Sequence, residues 1–184
     1  ILEAYPSMLF VLDDDPTGAQ TVHNASFLTE WSLDVLLSER YQPEEATFLL
    51  INTRAKTEKQ AVKINTDLGI EFSQLSRQLK LPISVISRSD STLRGHFPAE
   101  IDALAEGMGN SHDGIIFIPF FIQGGRYTID NVQYVSDGSM LAPVAQTPFA
   151  KDSAFGYESS NLCDWIEEKT QGKVSSEEVI AISI

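Results

Sequence analysis

Five short, uninterrupted apolar runs punctuate this chain: MLFVLD (8–13), ATFLLIN (46–52), ISVISR (83–88), GIIFIPF (114–120) and VIAISI (179–184). A strand with one face in water alternates apolar and polar residues. A continuous run instead reads as a strand covered on both faces, the condition of a parallel sheet. Between the second and third runs, Ala61, Ile64, Leu68, Phe72, Leu75 and Leu79 recur at spacings of three and four, one stripe of a helix. Thr57 with Gln60 forms a capping box at its start, and Pro82 closes it. A second helix is expected to start near Pro98, with Glu100 and Asp102 at its positive end and a stripe of Ile101, Leu104 and Ala105. A third is expected over 160–170. The segment 126–148 has no helical period, and Asp137–Gly138 predicts a hairpin there. Strand–helix–strand order yields an α/β fold: a mostly parallel sheet flanked by helices, joined by right-handed crossovers, with a hairpin insertion near 126–148.

The 184 residues suffice for one domain with a substantial core, and 42% hydrophobic with 21% charged residues is ordinary for a globular protein. No apolar run approaches the roughly 20 residues that cross a bilayer, and no signal peptide is visible. The single cysteine, Cys163, excludes an internal disulfide framework, reads as helix packing, and suits a cytoplasmic protein. A net charge of −13 argues against nucleic acid or an anionic membrane as partner. It also makes the positions of the six arginines informative.

In parallel sheets ligands bind beyond the carboxyl ends of the strands. The first run is followed by DDDPTG, with Asp13, Asp14, Asp15, Thr17 and Gly18; the second by NTRAKT, with Arg54. The third ends in SRSDSTLRGH, with Arg88, Asp90, Ser91, Thr92, Arg94 and Gly95; the fourth leads to FIQGGRYT, with Gly124, Gly125 and Arg126. Four parallel strands would bring four of the six arginines and three aspartates to one edge. Guanidinium forks bind planar anions bidentately, aspartates accept from hydroxyls or act as general bases, and glycines let backbone amides approach a ligand. Such a site suits a ligand with both a carboxylate and hydroxyls. No Walker-type loop and no GxGxxG occurs, so the chain shows no nucleotide site of its own, and no metal ligands are assigned to it.

DDDPTGAQTVH, INTRA, RSDSTLRGH and PFFIQGGRYT, in this order, resemble the four-carbon acid sugar kinase family, which includes threonate, erythronate and 3-oxo-tetronate kinases. The resemblance runs from about Met8 onward and takes in PFAKDSAFGYESSNL (148–162). Arg88 stands where the family has lysine, His96 replaces asparagine, Ile122 replaces a proline and Thr53 stands for serine. The resemblance implies that 1–184 is the N-terminal sugar-binding domain of an ATP-dependent kinase whose C-terminal ATP-binding domain is absent from this chain. ATP and Mg²⁺ are then expected mainly on that missing domain, and the isolated chain is expected to be inactive; a homodimer is a candidate assembly. Carried over by position, Asp14, Asp15, Thr17, Gly18, Arg54, Arg88, Asp90, Ser91, Arg94, Gly95, Gly125 and Arg126 bind substrate. Asp14 and Asp15 hold its hydroxyls, one of them serves as base, and Asp13 is structural. Two alternatives stand beside this reading. One is a stand-alone acid-sugar-binding module. The other is a haloacid-dehalogenase-like phosphatase, whose first motif resembles Asp13-x-Asp15-x-Thr17, although FIQGGR supplies no later acidic pair.

Overall fold

Met8–Asp13 forms strand β1, and its missing alternation has a direct cause: it is the inner strand of a sheet, with Phe10 and Leu12 fully buried and Val11 nearly so. In the computed structural model, which describes residues 7–18, 22–39, 45–109 and 112–182, β1 pairs in parallel with β3 (Ala46–Leu50) and β4 (Ile83–Arg88). A short strand β2 (Ser26–Leu28), which has no signature in the sequence, adds in parallel to β3. The order is β2-β3-β1-β4. Asp13 lies in register with Leu50 and with Arg88, so three of the four polar segments begin at one sheet edge.

Helix α1 (Leu33–Ser38), also unforeseen, sends Leu36 into the core. Helix α2 (Glu58–Leu79) has the expected capping box between Thr57 and Gln60. Its stripe of Leu68, Phe72 and Leu75 covers β1, with the Phe10 and Phe72 rings 4.6 Å apart. Lys80, in the left-handed region, ends the helix before Pro82 is reached.

Helix α3 (Ala99–Met108) starts where Pro98 predicts, but its buried face differs from the expected stripe. Glu100, Ala103 and Leu104 are buried rather than Ile101 and Ala105. The cause is close helix contact. A Cβ on Gly107 would lie 2.3 Å from the Thr66 carbonyl oxygen, and one on Gly69 would lie 2.5 Å from that of Leu104. This contact carries Glu100 inward, where its carboxylate accepts from Asn65 Nδ2 at 3.1 Å. The first-turn carboxylate is thus a buried partner rather than a solvated charge at a helix dipole.

These elements, residues 1–89 and 99–113, make one compact unit; residues 90–98 and 114–184 make a second. The second contains an antiparallel sheet, β5 (Arg126–Ile129), β6 (Val132–Ser136) and β7 (Leu141–Pro143). The hairpin expected in 126–148 is present as β6–β7, turning at Asp137–Gly138. A second hairpin, β5–β6, turns at Asp130 and Asn131, both at positive φ (47° and 66°), as a two-residue loop between twisted strands requires. Helix α4 (Leu162–Lys169), capped by Asn161, matches the third expected helix and carries Cys163 half-buried. Its Trp165 stacks on Phe97 and Phe117.

Two expected strands are corrected. GIIFIPF belongs to neither sheet: Phe117 packs on Trp165, while Ile116, Ile118 and Phe120 are 81%, 63% and 54% exposed. Phe121 then pairs with Arg126 through both backbone amides, which commits the following chain to the antiparallel sheet. Residues 179–182 of VIAISI form no strand, and Ile180 and Ile182 are open to solvent; 183–184 lie outside the described residues. An apolar run states that burial is favourable but not which strand will pair with it. Among the described residues no helix is long and apolar enough to cross a membrane.

The glycine contact gives a direct test. Gly107→Ala should destabilise the protein by about 1–3 kcal/mol, because the methyl meets backbone that cannot rotate away. Urea unfolding of the variant against wild type measures it, and an unchanged midpoint would show the helices to be less closely packed.

Candidate functional site

At the carboxyl end of β1 the three aspartates have three different environments. Asp13 still belongs to the strand: its carbonyl accepts the Ile51 and Asn52 amides at 2.9 and 3.3 Å, tying β1 to the end of β3. Its side chain is 1% exposed, and among the described residues neither carboxylate oxygen has a hydrogen-bond partner. The Arg88 guanidinium stands 3.7 Å away. Gly18 lies directly over it, since a Cβ there would be 2.2 Å from Asp13 Oδ1. Burial pushes the Asp13 carboxyl up to about 6, against the pull of Arg88 and with help from Asp14 and Asp15. This carboxylate is closed off beneath Gly18 and beside Arg88.

Asp14 is the anchor. Arg54 grips it from Nε to Oδ2 at 2.9 Å and from Nη2 to Oδ1 at 2.5 Å, and Ser89 Oγ donates to Oδ2 at 2.9 Å. The main chain repeats the link, with the Arg54 amide on the Asp14 carbonyl at 3.0 Å and the Asp14 amide on the Arg88 carbonyl at 3.3 Å. Asn52, in the left-handed region at φ 51°, turns the chain into the short 3₁₀ turn Thr53–Ala55 that presents Arg54. Burial raises the Asp14 carboxyl above its usual range even against Arg54 and Ser89.

Asp15 is the open member. Its side chain is 25% exposed; Oδ2 is 3.4 Å from Arg54 Nη1, and Oδ1 accepts both the amide (2.7 Å) and the hydroxyl of Thr17. Pro16 and Thr17 complete the turn, with the Gly18 amide on the Asp15 carbonyl at 3.2 Å. The first unit thus gathers Asp14, Asp15, Thr17, Gly18, Arg54 and Arg88. Ala19, Gln20 and Thr21 of the first motif lie outside the described residues.

Asp90, Ser91, Arg94, Gly95, Gly125 and Arg126 belong to the second unit. Asp90 organises its own loop: Oδ1 accepts the Thr92 amide at 3.2 Å, and Oδ2 takes the Thr92 hydroxyl together with Arg94 Nε at 2.6 Å. Arg94 Nη1 is 3.9 Å from Asp152. The Ala154 amide holds the Asp152 carboxyl below its usual range, with the Phe155 amide and Arg94 adding to this. Gly125, at φ 71°, makes the left-handed turn that returns the chain to β5. Arg126, half-buried, donates from Nη1 to the Gly124 carbonyl. Its Nε is buried without a partner, and among the described residues no carboxylate lies within ion-pair range of it. Both guanidiniums lie over the Phe149 ring, Arg94 at 4.9 Å and Arg126 at 5.7 Å from its centroid.

Ser89, Phe149 and Asp152 were not singled out by sequence reasoning. All three lie inside motifs that were recognised, but nothing local marks a serine, a phenylalanine or an aspartate as a neighbour of a distant arginine.

Residues 9–181 match the family model of the sugar-binding N-terminal domain. The chain belongs to that family. The four motifs all lie within the matched residues. A domain of unknown function from Bordetella bronchiseptica, solved with bound citrate as a domain-swapped dimer, is similar over 88% of this chain, at 24% identity and a TM-score of 0.59. A protein from Salmonella typhimurium LT2, described as a putative tRNA synthase, is similar over 89% at 19% identity and a TM-score of 0.61. These likenesses show the fold. This sugar-binding domain spans 39% and 38% of the lengths of the two solved chains. No curated protein matches it.

The sealed carboxylate sets a pH test. Asp13 has a folded value of about 6 against an ordinary 3.8, so the folded state holds its proton more tightly than the unfolded chain does. The favourable contribution is complete below about pH 4 and is lost as pH rises through 6, about 3 kcal/mol in all. Asp13→Asn cannot ionise. Its stability relative to wild type should therefore improve by about that amount between pH 4 and pH 7 in paired urea melts; a difference that does not change with pH would place the Asp13 titration elsewhere.

Proposed function

We propose that this chain is the acid-sugar-recognising part of an ATP-dependent kinase that phosphorylates a hydroxyl of a four-carbon sugar acid. The observation that carries the reading is Arg126, a half-buried cation with no compensating carboxylate among the described residues, sharing the Phe149 ring with Arg94. That pair suits a planar carboxylate. Aspartates at the end of β1 suit hydroxyls, and the sugar-binding description of the family model supports a sugar ligand. The Bordetella relative holds citrate, which has carboxylates and a hydroxyl, and this supports the ligand class.

In this reading Asp15 is the general base. Asp14 is 6% exposed and gripped bidentately by Arg54, whereas Asp15 is 25% exposed and in this reading accepts the proton of the hydroxyl to be phosphorylated. Arg94 and Arg126 bind the carboxylate. Ser91, Gly95 and Gly125 shape the loops that carry these arginines, and Thr17, Gly18, Arg54 and Arg88 frame the aspartates. Phosphoryl transfer asks mainly for positioning and charge neutralisation, which such side chains supply. ATP with Mg²⁺ is assigned to a further domain beyond these residues. In this reading the domain's own part is to hold and deprotonate the sugar acid. A cytoplasmic homodimer is proposed on the same footing, the Bordetella relative being a dimer.

Calorimetry with threonate tests the ligand class. The 184-residue chain should bind it without turning over ATP, and Arg94→Ala should lose about 30-fold or more, since a charge-assisted contact of about 2 kcal/mol or more disappears. Binding of neutral sugars in preference to sugar acids would refute the assignment. ATP-dependent phosphorylation by these residues alone would refute the division of labour.

In the protein joined to its nucleotide domain, Asp15→Asn should cut turnover by roughly 10²–10⁴ with little change in KM. Asp14→Asn should instead weaken the hold on Arg54 and lower stability. Normal turnover in Asp15→Asn would remove it as the base.

A further inference from the structure

Two buried side chains outside every sequence-assigned site hold the loop that carries Arg94. Gln133, on β6 and 0% exposed, donates from Nε2 to the Ser91 carbonyl at 2.8 Å and to the Pro119 carbonyl at 3.1 Å. Its Oε1 accepts from the Thr128 hydroxyl at 2.6 Å. Tyr157, 5% exposed, donates its hydroxyl to the next carbonyl of the same loop, that of Thr92, at 2.7 Å. Burial, and after it Asp90, pushes the Tyr157 phenol far up, so it stays a donor at any working pH. Two consecutive carbonyls are therefore fixed by donors 42 and 65 residues away along the chain.

The residue that follows shows what the clamp is for. Leu93 stands at φ 66°, a left-handed conformation that its Cβ makes costly, with its side chain buried. This turn carries Arg94 back so that its Nε meets Asp90. The second bond of Gln133 fixes the carbonyl of Pro119, from which the chain runs through the Phe121–Arg126 pairing to Arg126. One amide thus registers the arm of Arg94 against the arm of Arg126. An apolar side chain of equal volume would leave three polar partners unmatched, which the core does not tolerate cheaply.

We propose that Gln133 is a positioning residue that sets where the guanidiniums of Arg94 and Arg126 stand relative to each other, with Tyr157 fixing the Arg94 arm alone. Its consequence for ligand affinity rests on the anion-binding reading of these two arginines. The placement itself does not.

The test uses the 184-residue chain, ¹⁵N NMR of the arginine Nε–H groups, and threonate as probe. In Gln133→Met the Arg94 and Arg126 Nε–H signals should both move, Arg94 Nε–H should exchange with solvent roughly tenfold faster, and the threonate dissociation constant should rise roughly tenfold. Amides of β1 should keep their wild-type protection. Tyr157→Phe should move the Arg94 signal and leave that of Arg126 in place, a split that general loosening of the core would not produce. Unchanged arginine signals in Gln133→Met would overturn the proposal, as would a Tyr157→Phe variant that moves both arginines equally. If Gln133→Met does not fold, Tyr157→Phe decides alone, and an unmoved Arg94 rejects the clamp. If wild type fails to bind threonate while the signals move as stated, the function reading fails and the positioning role stands.

Discussion

The grip of Arg54 on Asp14 is the interaction on which the carboxyl edge of the parallel sheet depends. Three adjacent carboxylates at the end of an inner strand repel one another, and burial raises the cost of each charge. The bidentate guanidinium, with Ser89 beside it, lets Asp14 remain buried at the sheet edge. The same contact joins the ends of β1 and β3, while Ser89 and the Arg88 carbonyl join β1 to β4. Removing one partner of such a buried pair is costly because it leaves the other charge uncompensated. The pair therefore gives the edge its shape more than it adds net stability.

Around that anchor the three aspartates divide into distinct tasks by environment alone. Asp13, covered by the Gly18 backbone, retains its proton to higher pH and ends the strand. Asp14 is held. Asp15, one residue further from the strand, is a quarter exposed. Identical side chains thus differ in chemistry because each successive residue lies one step further out of the low-dielectric core. The motif's glycine has a reason of the same kind: it covers Asp13 at a distance that leaves no space for a methyl group.

The second unit solves a different problem, how to hold two cations close together. Asp90 and Asp152 offset Arg94, Phe149 offers a ring face to both guanidiniums, and the Arg126 Nε is buried without a partner among the described residues. The loop that achieves this contains a left-handed leucine, which local propensity disfavours, so its stability must come from elsewhere in the chain. Gln133 and Tyr157 are where it comes from.

The sequence by itself determined what depends on neighbours a few residues away. The continuous apolar runs marked β1, β3 and β4, the capping box and stripe marked α2, Pro98 marked the start of α3, and Asp137–Gly138 marked one hairpin. The polar segments following the three paired runs were legible for the same reason, since a strand's end is a local event. Tertiary structure alone decided what depends on distant partners. It turned GIIFIPF out of the parallel sheet, because the Phe121–Arg126 pairing claims the chain that follows. It drew Glu100 inward to Asn65, because two glycines bring α2 and α3 together. It separated Asp14 from Asp15, and it chose Gln133 and Tyr157 as the clamp. Period, capping and turn chemistry are written in the local sequence; a hydrogen bond spanning 42 or 65 residues is decided only when the folded chain brings its two ends together.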